Sequence, residues 1–143
     1  MFLYLCGVII NKILILAKKS IAVVANKNEE SMNHLIIDAI QDIKGKNIVK
    51  LDLRSLDDAP ADFFIICEGD SSTQVKAISD NIGRKLKEKL GMRPNHTEGM
   101  EGAKWILVDY FDTVVHVFYP ETRQFYEIEE LWGDATITQY ENI

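Results

Sequence analysis

From residue 31 onward the apolar positions fall first into helical and then into strand spacing. Met32, Leu35, Ile36, Ala39, Ile40 and Ile43 recur three or four residues apart, as one face of an α-helix requires. Ser31 precedes them as a candidate N-cap, and Gly45 closes the run. Asn47 to Leu53 then reads as a strand through Ile48, Val49, Leu51 and Leu53. Arg54 to Ala61 is a loop punctuated by Asp57, Asp58 and Pro60. Phe63 to Cys67 (FFIIC) is a continuous apolar run, suited to a strand covered on both faces. After Gly69-Asp70-Ser71-Ser72 a second helical stripe runs through Val75, Ile78, Ile82, Leu86 and Leu90, with Lys85, Lys87, Glu88 and Lys89 outside it. Gly91 suits the C-terminal glycine of that helix, and Pro94 follows.

Asn95 to Gly102, which contains Gly99 and Gly102, reads as a flexible loop. Trp105 to Tyr110 and Val114 to Tyr119 form a hairpin around Phe111-Asp112-Thr113. Pro120 ends it, and Glu121 to Leu131 is a short acidic helix or turn before a frayed tail. The order predicts an α/β domain: a mixed sheet of about four to five strands with helices mainly on one face. A right-handed crossover would set the second strand parallel to the third, with the hairpin adding an antiparallel edge.

The first thirty residues break this pattern. MFLYLCGVIINKILILA is strongly apolar, but Asn11-Lys12 interrupts it, and no basic stretch precedes it. A spanning helix needs about 20 predominantly apolar residues, and no small-residue cleavage site ends the run. The expectation is upstream sequence translated through a misassigned start, followed by a polar linker to Glu30. A membrane anchor and an extra packing element are the other readings. The divisions are therefore 1–30 as head and linker, 31–135 as the domain, and 136–143 as the tail.

Composition narrows the class. The hydrophobic share of 47% and the charged share of 27% describe a folded domain rather than a disordered chain or a membrane bundle. Cys6 and Cys67 are far apart, with no CxxC and no Cys/His cluster, so neither a disulfide scaffold nor a zinc site is expected. A reduced, cytoplasmic setting fits. The net charge of -6 hides an asymmetry. Residues 98–143 hold 2 basic and 10 acidic side chains, a net of -8, whereas residues 1–97 have a net of +2. Such a C-terminal third suits a basic partner and disfavours a broad grip on nucleic-acid phosphate.

The candidate chemistry is thin. Gly69-Asp70-Ser71-Ser72 could offer amides to an anion, but it lacks the glycine and lysine spacing of a phosphate loop, and helix capping by Asp70, Ser71 or Ser72 explains it better. His116 lies inside VVHVFY and reads as structural. A Ser71 or Ser72, His116, Asp109 triad has no nucleophile-elbow signature. Asp109 and Asp112 flank a turn without the basic cradle that two-metal chemistry needs. More telling is the cluster Trp105, Tyr110, Phe111, Phe118, Tyr119, Phe125, Tyr126 and Trp132 in acidic surroundings. It makes a poor platform for RNA and a good protein interface, even with part of it in the core.

ADFFIICEGDSSTQVKAI (Ala61 to Ile78) and WILVDYFDTVVHVFYPETRQFYEIEELWGDA (Trp105 to Ala135) closely resemble the ribosomal silencing factor family, also called Iojap. The likeness runs from about Met32 to Ala135, in order; the apolar head lies outside it. The resemblance implies a nucleotidyltransferase-like fold without catalysis. It also implies binding to the large-subunit ribosomal protein L-fourteen, which blocks joining of the small subunit and represses translation when nutrients are short. The acidic partner of a nucleotidyltransferase metal site, Asp-x-Asp, does not follow the Gly69 loop. Carried over, the interface is Trp105 as anchor, with Leu107 and Asp109 on the same strand face. Asp109 is expected to pair with a basic group and Tyr110 to add contact at the strand end. Glu98, Glu101 and Asp112 form a charged rim, while Ile106 and Val108 pack under the helices. Phe111 is an unusually bulky residue for the turn. A homodimer is a second partner implied by the family. No cofactor, metal, membrane or sequence-specific nucleic acid is expected. The alternative is a nucleotide-binding or nucleotidyltransferase-like enzyme using the Gly69 loop, and a membrane-tethered adaptor ranks third.

Overall fold

The computed structural model describes residues 25–143, and the apolar head with its start-site reading lies outside them. Helix α1 spans Ala25–Asp42. It begins ahead of Ser31, which is therefore not its cap, and residues 25–30 are helix rather than linker. Apolar periodicity marks only the stripe a helix buries, so a polar first stretch leaves no such signal. Gly45 ends the connection because Ile40 leaves no room there: a Cβ at Gly45 would lie 2.3 Å from Ile40 Cγ2.

The chain continues as β1 (Lys46–Asp52), β2 (Phe63–Glu68), α2 (Ser72–Leu90), β3 (His96–Glu98), β4 (Trp105–Asp109) and β5 (Thr113–Phe118). Two short helices, α3 (Pro120–Tyr126) and α4 (Ile128–Leu131), and a last strand, β6 (Thr136–Gln139), complete it. Ser71 is the N-cap of α2: its Oγ accepts the Gln74 N–H at 3.1 Å. Gln74 reaches back, its Oε1 accepting the Asp70 N–H at 2.7 Å while its Nε2 donates to the carbonyls of Ile43 and Lys44. At the other end Gly91 takes the left-handed conformation with φ 63°, and its N–H donates to Lys87 O.

The six strands form one mixed sheet in the order β3-β4-β5-β2-β1-β6, more strands than expected. Three expectations change. Residues 96–98, read as loop, pair with β4, and residues 136–139, read as frayed tail, pair with β1. Both are short edge strands whose backbone finds a partner only in the assembled sheet. The parallel neighbour of β2 is β5, not β4. Helix α2 carries the chain past β2's neighbour to the far edge, and the hairpin then turns back inward. Its second arm thus lands beside β2, and β4 pairs antiparallel with β5.

Helices α1 and α2 cover one face. Ile36, Ile40, Ile78, Ile82 and Leu86 pack there on Ile65, Ile106, Val108, Val115 and Val117. Beneath the other face Leu51, Phe64, Leu107, Val114 and Phe118 pack with Ile128 of α4, Ala59 and Ala135. Among the described residues no helix is long and apolar enough to cross a membrane.

Candidate protein-interaction surface

Alternation along β4 works as expected on the helix side, where Ile106 and Val108 join the helix-covered cluster. The opposite side is not open. Trp105 is 4% exposed, Leu107 is fully enclosed, and Asp109 and Tyr110 are also buried. Alternation tells which face a side chain takes, but α3, α4 and the loop after β1 decide whether that face meets water. Leu107 packs with Phe64, Val114 and Ile128. The Asp109 carboxylate accepts the Phe111 N–H at 2.8 Å and so braces the hairpin turn. Tyr110 falls in the helix-side cluster, and burial pushes its hydroxyl pKa up to about 12.

Trp105 sits at the centre of an aromatic group. Its ring stacks on Phe118 at 5.0 Å between centroids and leans on Tyr126 at 4.8 Å. Its Nε1–H donates to His116 Nδ1 at 3.1 Å. The imidazole meets Phe64 edge-on at 4.6 Å. His116 is fully buried, and desolvation lowers its pKa to about 3, which keeps the ring neutral at ordinary pH. The histidine is thus structural, as its setting in the sequence suggested, and its neighbours are rings rather than a serine nucleophile.

The edge of Trp105 does reach the surface. An open groove of about 670 Å³ runs between β3, the following loop and α3, lined by Glu98, Met100, Glu101, Lys104, Trp105 and Tyr126. Glu98 and Glu101 supply acidic walls. Lys104 is engaged elsewhere, with its Nζ 4.5 Å over the Tyr119 ring. Phe125, 80% exposed, stands edge-on to Tyr126 beside the groove. The structure therefore brings Glu98, Glu101 and Trp105 together and sets Asp112 at the far end of β4, in the hairpin turn. Phe125 and Tyr126 belong to the aromatic cluster the sequence singles out, though not to the contact set carried over from the family. Adjacent aromatics on a short acidic helix were the signal: in a helix with one apolar stripe, neighbours cannot both be buried.

Two other features are structural. Two amides of the Gly69 loop are occupied, with Gly69 N–H donating to Phe118 O and Asp70 N–H to Gln74. Arg123 clamps α3 to the sheet, donating to Glu129 at 2.7 Å, Glu68 at 3.0 Å and the Asn47 carbonyl at 2.7 Å.

Comparison with known proteins decides the family. The family model described as "Ribosomal silencing factor during starvation" matches residues 26–143. The chain belongs to the ribosomal silencing factor family. A ribosomal silencing factor from Halalkalibacterium halodurans is 36% identical over 116 residues, covering 81% of this chain and 97% of the relative. The Bacillus subtilis ribosomal silencing factor is 38% identical over 110 residues, covering 77% and 92%. A crystal structure of a protein from Chromobacterium violaceum matches with a TM-score of 0.69 at 43% identity, covering 73% of this chain and 85% of that one. The silencing-factor match includes residues 136–143, which the edge strand β6 also ties into the fold.

Proposed function

We propose that this chain is a non-catalytic ribosomal silencing factor that binds the large ribosomal subunit through its L-fourteen protein and blocks joining of the small subunit. Relatives named ribosomal silencing factor support the ribosome-associated role and point to a regulator rather than an enzyme. The observation that carries the contact surface is the acidic, aromatic groove beside β3 and β4, where Glu98, Glu101, Tyr126 and the Trp105 edge come together. Aromatic rings within a charged rim give anchoring contacts, and the acids steer a basic surface toward them. Asp112 belongs to the same acidic stretch at the hairpin tip. Leu107, Asp109 and Tyr110 serve the contact indirectly, by holding β4 and its turn in place. Against the nucleotide-binding alternative, the Gly69 and Asp70 amides of that loop already donate to Phe118 O and Gln74 Oε1.

The test is sucrose-gradient sedimentation of the purified chain with dissociated ribosomal subunits, alongside a Glu98→Lys, Tyr126→Ala double variant. The parent is expected to travel with the large subunit and keep the small one from joining. The variant should stay folded and lose both properties. A parent that ignores the large subunit overturns the reading, and a variant that behaves like the parent moves the contact away from the groove.

A further inference from the structure

The sheet ends on two unlike edges. β3 is three residues long and follows closely on Pro94, and the groove occupies that side. β6, at the opposite edge, pairs with β1 over four residues and has no further strand beside it among the described residues. Continuing the β1–β6 register, Tyr140 N–H donates to the Ile48 carbonyl at 2.9 Å. Antiparallel pairs alternate, so Thr138 and Thr136 also bond toward β1, and the N–H and C=O groups of Ile137 and Gln139 point away from the sheet. All four residues of the strand are exposed. Natural edges are commonly blunted by a lysine, a proline or a bulge, yet Thr136-Ile137-Thr138-Gln139 holds no charge and no proline.

The charge around this edge is one-sided. Residues 127–143 contain 5 acidic side chains and no basic one. Glu130, Asp134 and Glu141 are exposed and form no ion pair among the described residues, whereas Glu129 is held by Arg123. The nearby cations of β1 and its following loop are already placed: Lys50 and Arg54 lie 5.5 Å and 4.9 Å from the centre of the Phe63 ring. A second copy of this chain would set the same acids against themselves, and a nucleic acid would bring phosphate to them. A strand carrying lysine or arginine meets carboxylates at both ends of β6.

We propose that the outer edge of β6 docks an extended, lysine- or arginine-bearing segment of a partner protein, which adds to the sheet as a further strand. Main-chain bonds at Ile137 and Gln139 hold the segment, and Glu130, Asp134 and Glu141 attract its cations. Ile137 shares a sheet face with its register partner Leu51, so an apolar side chain of the incoming strand has a place to pack. The site lies across the sheet from the groove and does not depend on the large-subunit reading.

The test uses the full chain and a fluorescent peptide of alternating lysine and valine, with a glutamate–valine peptide for comparison. Only the lysine peptide is expected to bind, more weakly at high salt, and to slow amide exchange at Ile137 and Gln139. Gln139→Pro removes one outward N–H and spares the bonds to β1. It should weaken binding about tenfold, while Gln139→Ala binds like the parent. A triple variant, Glu130→Gln with Asp134→Asn and Glu141→Gln, leaves the backbone intact and should weaken binding about fivefold. The proposal is overturned by no binding of the lysine peptide, by equal binding of both peptides, or by either the proline or the triple variant binding as tightly as the parent. Slow exchange at Ile137 and Gln139 before peptide is added overturns it too, since another part of this chain or a second copy would then hold the edge.

Discussion

The two faces of the sheet are built differently. One is covered by two long helices whose aliphatic stripes, Ile36 and Ile40 on α1 and Val75, Ile78 and Ile82 on α2, close over Ile65, Val115 and Val117. The other carries rings and a buried imidazole, Phe64, Trp105, His116 and Phe118, beneath short segments only: α3, α4 and the loop after β1. Long helices bury much apolar area and tolerate little change. Short segments cover less, so the second face opens at its margin into the groove at Trp105 and Tyr126. The helix face is the more fully covered, and the proposed contact surface lies where the cover is thin.

The sharpest way to break this contrast is a cavity on the helix side. Ile78→Ala removes a fully buried side chain and is expected to cost about 2–5 kcal/mol in urea unfolding. A loss as small as that from an exposed site would show that the helix face is not the stable half.

On the aromatic side the corresponding lever is pH. His116 has its pKa lowered to about 3 by burial, against 6.5 for a free imidazole. The unfolded chain therefore binds the proton first as pH falls. Its contribution to stability is complete above pH 6.5 and declines between 6.5 and about 3, with a limiting slope of about 1.4 kcal/mol per pH unit. Urea midpoints measured from pH 7 to pH 4 should show that slope, and His116→Phe should flatten it. An unchanged slope would assign the acid sensitivity to other groups.

Trp105 tests both properties at once. Truncation to alanine would open a cavity under the groove and confuse unfolding with lost binding. Trp105→Phe keeps most of the ring and removes the hydrogen bond to His116, at a cost of about 1–3 kcal/mol. Large-subunit affinity should also fall if the Trp105 edge is touched in the complex, and sedimentation of the folded variant measures this. The smallest expected effect is Ser71→Ala. Loss of the α2 cap should cost about 1 kcal/mol by thermal unfolding and leave binding unchanged. A binding loss there would revive the Gly69 loop as a site.

The long elements were legible because their signals are local. The stripe from Val75 to Leu86, Gly91 beyond it and the FFIIC run each state their own environment. The edge strands were not. His96–Glu98 and Thr136–Gln139 are mostly exposed and carry no alternation, so only the neighbouring strand makes them strands. The proposed contact residues came from the family resemblance, and the structure gathers Glu98, Glu101 and Trp105 around one groove. The burial of Leu107, Asp109 and Tyr110 depended on segments distant in sequence.

The sequence by itself determined the buried stripes of the two long helices, the central strands, the acidic C-terminal third and the likeness to ribosomal silencing factors. All of these reside in residue order and spacing. Only the tertiary structure decided that β5 and not β4 lies beside β2, that Asp109 holds a turn, and that Tyr126 lines the groove while Trp105 shows it only an edge. These are matters of which surfaces cover one another. A side chain's periodicity fixes the face it takes, while its exposure is set by whatever part of the chain folds back on that face.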